Sequence, residues 1–198
     1  MDRKWIIIRI DGRIAGISTD YRMLASVSAR LAQMGEKVHY GEITATTTDF
    51  DEVWKLRQEV KWEDLILFGT DFQKKVWRKL WDLKNLVSYT DFAEMCQNKA
   101  GVRAVAHAIG LNPISVIIPC HLVIPKESMD KMDLIREKAE ATIFKGDDLC
   151  LSSILKEESI DFGEYSLGRD LKRKLIVLEH HYIYPQEQVR FHMNRQTP

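Results

Sequence analysis

The sequence predicts an α+β chain in two parts. A small amino-terminal α/β segment occupies residues 1–66, and a mainly helical segment with a helix-turn-helix occupies 67–185, followed by a tail at 186–198. Three observations predict it. The apolar run Trp5 to Ile10 turns at Asp11-Gly12 and returns from Ile14 to Ser18, which is a hairpin pattern. Two short amphipathic runs flank the polar turn Gln97 to Gly101, as two helices across a tight turn do. Past Gly163, the residues Leu167, Leu171, Leu175, Ile176 and Leu178 recur at helical spacing. With 198 residues, 45% of them apolar, the chain can bury one large core or two small ones.

The elements follow in order. After the hairpin, residues 21–34 suit a helix, with Leu24, Val27, Ala29 and Leu31 on or near one face. Lys37 to Ile43 suits a strand, and Thr44 to Asp49 reads as a polar, threonine-rich loop. Thr70 or Asp71 can cap a helix that carries Phe72, Val76, Trp77, Leu80 and Trp81. Val87-Ser88-Tyr89-Thr90 leads into a short helix with Phe92, Ala93 and Cys96. Val102, Val105, Ala106 and Ile109 mark the next helix, which ends at Gly110. Arg103 and His107, beside the small Ala104, Ala106 and Ala108, would let that helix approach a groove, although plain helix packing explains the same residues. Residues 126–162 are acidic and helix-prone, and read as an insertion, either a surface helix or a mobile loop. The last helix is expected to end near Glu179.

Charge is balanced overall but not along the chain. Residues 67–121 carry seven basic against four acidic side chains, and residues 122–163 carry six against ten. A mildly basic middle permits nucleic-acid binding without establishing it, and the acidic block argues against contact with phosphates. Three scattered cysteines do not make a disulfide framework, so a reducing, intracellular setting is expected, cytoplasmic or, in a eukaryote, nuclear. No stretch is apolar for long enough to span a membrane, and no metal-ligand spacing is visible; no metal and no cofactor are expected.

The β-branched run Val116-Ile117-Ile118 reads as a strand that stops at Pro119 and presents Cys120 beside His121. An imidazole near a thiol can take its proton, and a thiolate is the better nucleophile. A buried, inert cysteine after an apolar run fits the same residues. Neighbours on an extended chain point to opposite sides, so His121 need not touch the sulfur.

Four features stand in order: Phe68-Gly69-Thr70-Asp71-Phe72-Gln73 with Val76-Trp77, then Val87-Ser88-Tyr89, then Arg103-Ala104-Val105, then Asn112-Pro113 leading to Ile118-Pro119-Cys120-His121. Together they resemble the O6-alkylguanine-DNA alkyltransferase family over about residues 66–125 and again over 163–180. The resemblance implies a winged-helix-like, DNA-binding alkyltransferase domain that acts as a monomer on double-stranded DNA containing O6-alkylguanine, through the minor groove. It implies that Cys120 accepts the alkyl group once and is not regenerated. His121 would act through a water, oriented by Glu179. Tyr89 would donate to the leaving guanine and help turn the nucleotide. Arg103 would fill the gap left by the flipped base, with Ala104 and His107 on the same DNA-facing helix. Asn112 would hold the turn before the strand by hydrogen bonds, and Pro119, Tyr165 and Ser166 would line the substrate pocket. Two departures stand out. Leu122 replaces the arginine usual after Pro-Cys-His, and the 126–162 insertion replaces a short loop. A non-catalytic lesion sensor, a helix-turn-helix regulator with a reactive cysteine, and a cysteine hydrolase are the competing readings.

Overall fold

The computed structural model describes residues 3–22, 42–142 and 159–183, together with 25, 27 and 29. The chain divides into two compact units, and the division does not fall at residue 66. One unit joins Met1–Leu83 to Asp91–Cys120, and the other joins Lys84–Thr90 to His121–Pro198.

In the first unit, β1 (Trp5–Ile10) and β2 (Arg13–Ser18) form the expected hairpin. Asp11 and Gly12 both hold positive φ, 49° and 78°, which a two-residue turn needs to match the twist of its strands. The strand β3 (Ile43–Thr48) pairs antiparallel with the other side of β1, giving the order β2-β1-β3. This corrects the loop expected at Thr44 to Asp49. Its threonines are polar in composition but β-branched, and a pleated edge accepts them with their hydroxyls in water. Lys37 to Gly41 and most of the 21–34 helix lie outside the described residues; Arg22, Ala25, Val27 and Ala29 are helical. Ile6, Ile8, Ile10, Ala15, Val27 and Phe68 make one core cluster. The helix α1 (Phe50–Glu59) is capped by Asp49, which accepts from the Glu52 amide at 3.0 Å, and its Phe50 ring meets Trp5 at 5.8 Å.

The helix α2 (Asp71–Trp81) starts at a capping box: the Gln73 amide donates to Thr70 and the Thr70 amide to the Gln73 side chain. It buries Val76, Trp77 and Leu80. A Cβ at Gly69 would come within 2.6 Å of the Trp77 ring, so only glycine fits there. The Trp77 indole donates to the Ala108 carbonyl at 2.8 Å, which ties α2 to the helix α4 (Val102–Gly110). The helix α3 (Tyr89–Met95), the turn through Gln97 (φ 58°) and the 3-10 turn Lys99–Gly101 complete the helix-turn-helix expected from the sequence.

Residues 113–119 depart from expectation. Instead of a strand, they form a compact buried turn. The Ile17 amide donates to the Pro113 carbonyl at 2.9 Å, the Ile118 amide donates back to Ile114 at 3.0 Å, and Val116 sits at φ 74°. A β-branched run favours extended backbone on its own. Here side-chain hydrogen bonds from Asn112, described below, select a tight turn instead.

In the second unit, β4 (Val87–Ser88) pairs in parallel with β5 (Val123–Ile124). The helices α5 (Lys126–Thr142) and α6 (Arg169–Ile183) follow, and α6 runs past Glu179. Ile124, Met132, Ile160, Phe162 and Ile176 form the core. Both described ends of the 126–162 block are therefore structural: Met132 comes from its first helix and Ile160 and Phe162 from its last residues. Ser128 donates to the Asp161 carbonyl, Lys131 to the Ser159 carbonyl at 2.8 Å, and Arg173 lies 4.7 Å over the Phe162 ring. The surface-excursion reading does not hold for these ends; residues 143–158 and the tail 186–198 lie outside the described residues. Leu122, at the position of the usual arginine, is buried at 2% exposure. Apolar packing there replaces a charge. Among the described residues, no helix is long and apolar enough to cross a membrane.

Candidate functional site

Cys120 ends the first unit, on a one-turn 3-10 helix, Cys120–Leu122, and is 5% exposed. Its sulfur accepts a hydrogen bond from Asn112. That side chain makes three hydrogen bonds: its Oδ1 accepts from the Ile114 amide at 3.0 Å, and its Nδ2 donates to the Ile118 carbonyl at 3.0 Å and to the Cys120 Sγ at 3.1 Å. The amide thus pins both ends of the turn and aims a donor at the sulfur. A donor on sulfur favours negative charge there, because the hydrogen bond strengthens as the thiol loses its proton. The 3-10 geometry also replaces the extended chain expected around Cys120. Successive side chains on such a turn diverge by about 120° instead of alternating.

On α4 of the same unit, Arg103, Ala104 and His107 line the side away from the core, while Val105, Ala108 and Ile109 are buried against it. Pro119 is buried next to Cys120 in sequence.

The second unit holds the other expected residues. His121 is fully buried, and its Nε2 lies 3.2 Å from the Glu179 Oε1, itself in a residue 4% exposed. A carboxylate only accepts, so the imidazole proton belongs on Nε2, leaving Nδ1 as the basic nitrogen. The partly buried Tyr165 ring stands edge-on to His121 at 6.5 Å, while Ser166 is exposed. Gly163 (φ 80°) and Gly168 (φ 103°) bracket these two residues in backbone conformations that other residues resist. The bracket is tied down by Arg169, which binds Glu164 and holds its carboxyl below the usual carboxylate range.

Sequence reasoning missed Lys172. It is 1% exposed, donates to the Val123 carbonyl at 2.8 Å, and holds its ammonium 5.7 Å from the Tyr89 ring centroid. A buried lysine is costly unless its charge is used or satisfied. A signal existed: Lys172 and Glu179 interrupt the buried stripe Leu171, Leu175, Ile176 seven residues apart, so two charges share the core face of one helix.

A helix-turn-helix thus leads into a buried thiol that accepts a hydrogen bond from an amide. Residues 71–140, about a third of the chain, match the family model of the 6-O-methylguanine DNA methyltransferase DNA-binding domain. The chain is 45% identical over 67 residues to a probable methylated-DNA–protein-cysteine methyltransferase of Acanthamoeba polyphaga mimivirus, covering 33% of this chain and 45% of that protein. It is 45% identical over 60 residues to the inducible methylated-DNA–protein-cysteine methyltransferase of Bacillus subtilis, covering 29% of this chain and 34% of that one. The matched stretch therefore spans less than half the length of either relative. The fold is that of the O6-methylguanine-DNA methyltransferase from the hyperthermophilic archaeon Pyrococcus kodakaraensis. The TM-score is 0.50 at 22% identity, over 90% of this chain and 94% of that one.

Proposed function

We propose that this protein repairs DNA by moving an alkyl group from the O6 oxygen of guanine to its own Cys120, once per molecule. The observation that carries the reading is the Asn112 amide 3.1 Å from the Cys120 sulfur, inside the stretch that matches the 6-O-methylguanine DNA methyltransferase model. The Cys120 thiolate attacks the alkyl carbon, forming a carbon–sulfur bond as the carbon–O6 bond breaks. The electron pair leaves with guanine, which takes up a proton. The product is a thioether at a saturated carbon. Water finds no activated carbonyl there and the thiolate leaves poorly, so one turnover follows from the bond type.

In this reading His121 receives the thiol proton through water, and Glu179 steadies the resulting imidazolium. Tyr89 supplies the proton to the departing guanine, with the Lys172 ammonium 5.7 Å from its ring centroid. Pro119, Tyr165 and Ser166 border the base. Arg103 enters the minor groove in place of the extruded nucleotide, and Ala104 lets the helix come close, with His107 a turn along. The protein acts as a monomer in a reducing compartment, where the thiol stays free.

The test is an intact mass after incubation with a duplex carrying O6-methylguanine. The expected gain is one methyl group, saturating at one per chain. Lesion binding without a mass gain would point to the sensor, and release of many alkyl equivalents to a hydrolase.

Two substitutions probe the roles. Arg103→Ala should slow repair in duplex DNA far more than reaction with free O6-benzylguanine, since the free base needs no extrusion; single-turnover rates on both substrates measure it, and equal slowing would refute the finger role. Glu179→Gln should slow transfer by roughly 10²-fold. The amide keeps the shape but not the charge beside His121, so thermal melting should change less than the rate does. An unchanged single-turnover rate in a folded Glu179→Gln variant would remove Glu179 from the mechanism.

A further inference from the structure

A second cleft lies in the first unit, between the outer face of α2 and the carboxyl end of α3. Its volume is about 280 Å³ and its lining is mainly apolar. Phe72 and Met95, 37% and 44% exposed, are two of the few large apolar side chains left open to solvent among the described residues. With Val76 they form the apolar lining. Lys75, Arg78 and Lys79 also line the cleft, and no acidic side chain does. Arg78 is partly engaged, over the Trp62 ring at 4.7 Å and 3.8 Å from Asp82. Neither Lys75 nor Lys79 forms an ion pair among the described residues. The nearby Glu94 is already paired, to Lys99. Cys96 also lines the cleft; burial pushes its thiol up, with Lys79 opposing.

An aromatic face with a one-sign cationic rim is the chemistry of unpaired nucleic acid: phosphates on the lysines and a base on the ring. An acidic peptide could satisfy the cations, but the chain's own helix-turn-helix runs on from this cleft, through Gln97 and into α4, which makes a polyanion already in reach the better match. We propose that this cleft holds an unpaired DNA strand, one base against Phe72 and Met95 and its phosphates on Lys75 and Lys79. The protein would then dock preferentially where duplex meets single strand. The inference rests on DNA being the partner, as proposed above, and does not depend on alkyl transfer.

The test uses fluorescein-labelled duplexes, blunt or with a six-thymidine overhang, and labelled dT10, read by anisotropy across a salt series. The overhang should tighten binding by about fivefold or more, and Phe72→Ala should erase that gain. Lys75→Glu with Lys79→Glu should do the same and lower the dT10 salt slope by about 1.4, the share of two phosphate contacts on a single strand. Bound dT10 should also slow thiol labelling of Cys96, mapped by peptide mass. Equal binding of blunt and tailed duplexes by the unsubstituted chain, or an overhang gain that survives both sets of substitutions, overturns the proposal. So does an acidic, leucine-containing peptide that binds through Lys75 and Lys79 while dT10 does not. Benzyl transfer from free O6-benzylguanine is followed in parallel. Its loss with the overhang gain intact would overturn the repair reading alone, and its retention without the gain would overturn the cleft alone.

Discussion

Cys120→Ala will take up no alkyl group from an O6-methylguanine duplex at any incubation time, and will bind that duplex as the unsubstituted chain does. The loss is chemical, because the substitution removes one buried sulfur and little packing. Cys120 is 5% exposed and neighbours a turn whose backbone bonds do not involve its side chain. Asn112 loses one acceptor but keeps the Ile118 carbonyl, so no amide is wholly stranded. The destabilisation should stay near ~1 kcal/mol, the cost of a small cavity and one weak hydrogen bond. Intact mass reports the alkyl group, anisotropy the binding and thermal melting the fold. A methyl gain that persists in the Cys120→Ala variant would move the acceptor elsewhere and end the proposal.

Asn112→Ala should be damaging in a different way, lowering stability and slowing transfer together. The Ile114 amide is left buried without the Oδ1 acceptor, a cost of about 1–3 kcal/mol, and two further hydrogen bonds go with it. The Ile118 carbonyl still accepts from the Cys120 amide at 2.8 Å, which limits the damage. A total near ~2–4 kcal/mol is expected by chemical denaturation. Asn112→Asp separates the two roles. Its carboxylate can still accept from Ile114, but it offers no donor to the sulfur and adds negative charge where the thiolate must form. Its transfer rate should fall well beyond what its stability loss explains. An Asn112→Asp variant that reacts at the normal rate would show that the amide only braces the turn.

Much of the site was legible because it is written in local order. Asn112, Cys120 and His121 lie within ten residues, and their spacing survives any packing of the rest. The hairpin was legible because Asp11-Gly12 carries its own turn geometry. The threonine strand was not: four of residues 44–48 are threonine, and only pairing with β1 makes them a strand. The turn at 113–119 was hidden for the converse reason. Its residues prefer extended backbone, and a single side chain eight residues before the cysteine overrules them. Glu179 was placed by resemblance, but its burial was not foreseen. Lys172 was overlooked because a lysine in a helical run is read by default as solvated, although the stripe it interrupts was in plain view.

At Val116, strain and burial nearly cancel. A β-branched side chain at φ 74° costs on the order of 1–3 kcal/mol, and it is fully buried. Glycine there would relax the backbone but remove buried methyl groups worth about as much. Glycine at position 116 should therefore cost less stability than the loss of a buried valine normally does, while freeing the backbone before the thiol. A laboratory selection for melting temperature would pass over this position. A selection for speed would not, which makes it a site where rigidity can be tuned at little cost in stability.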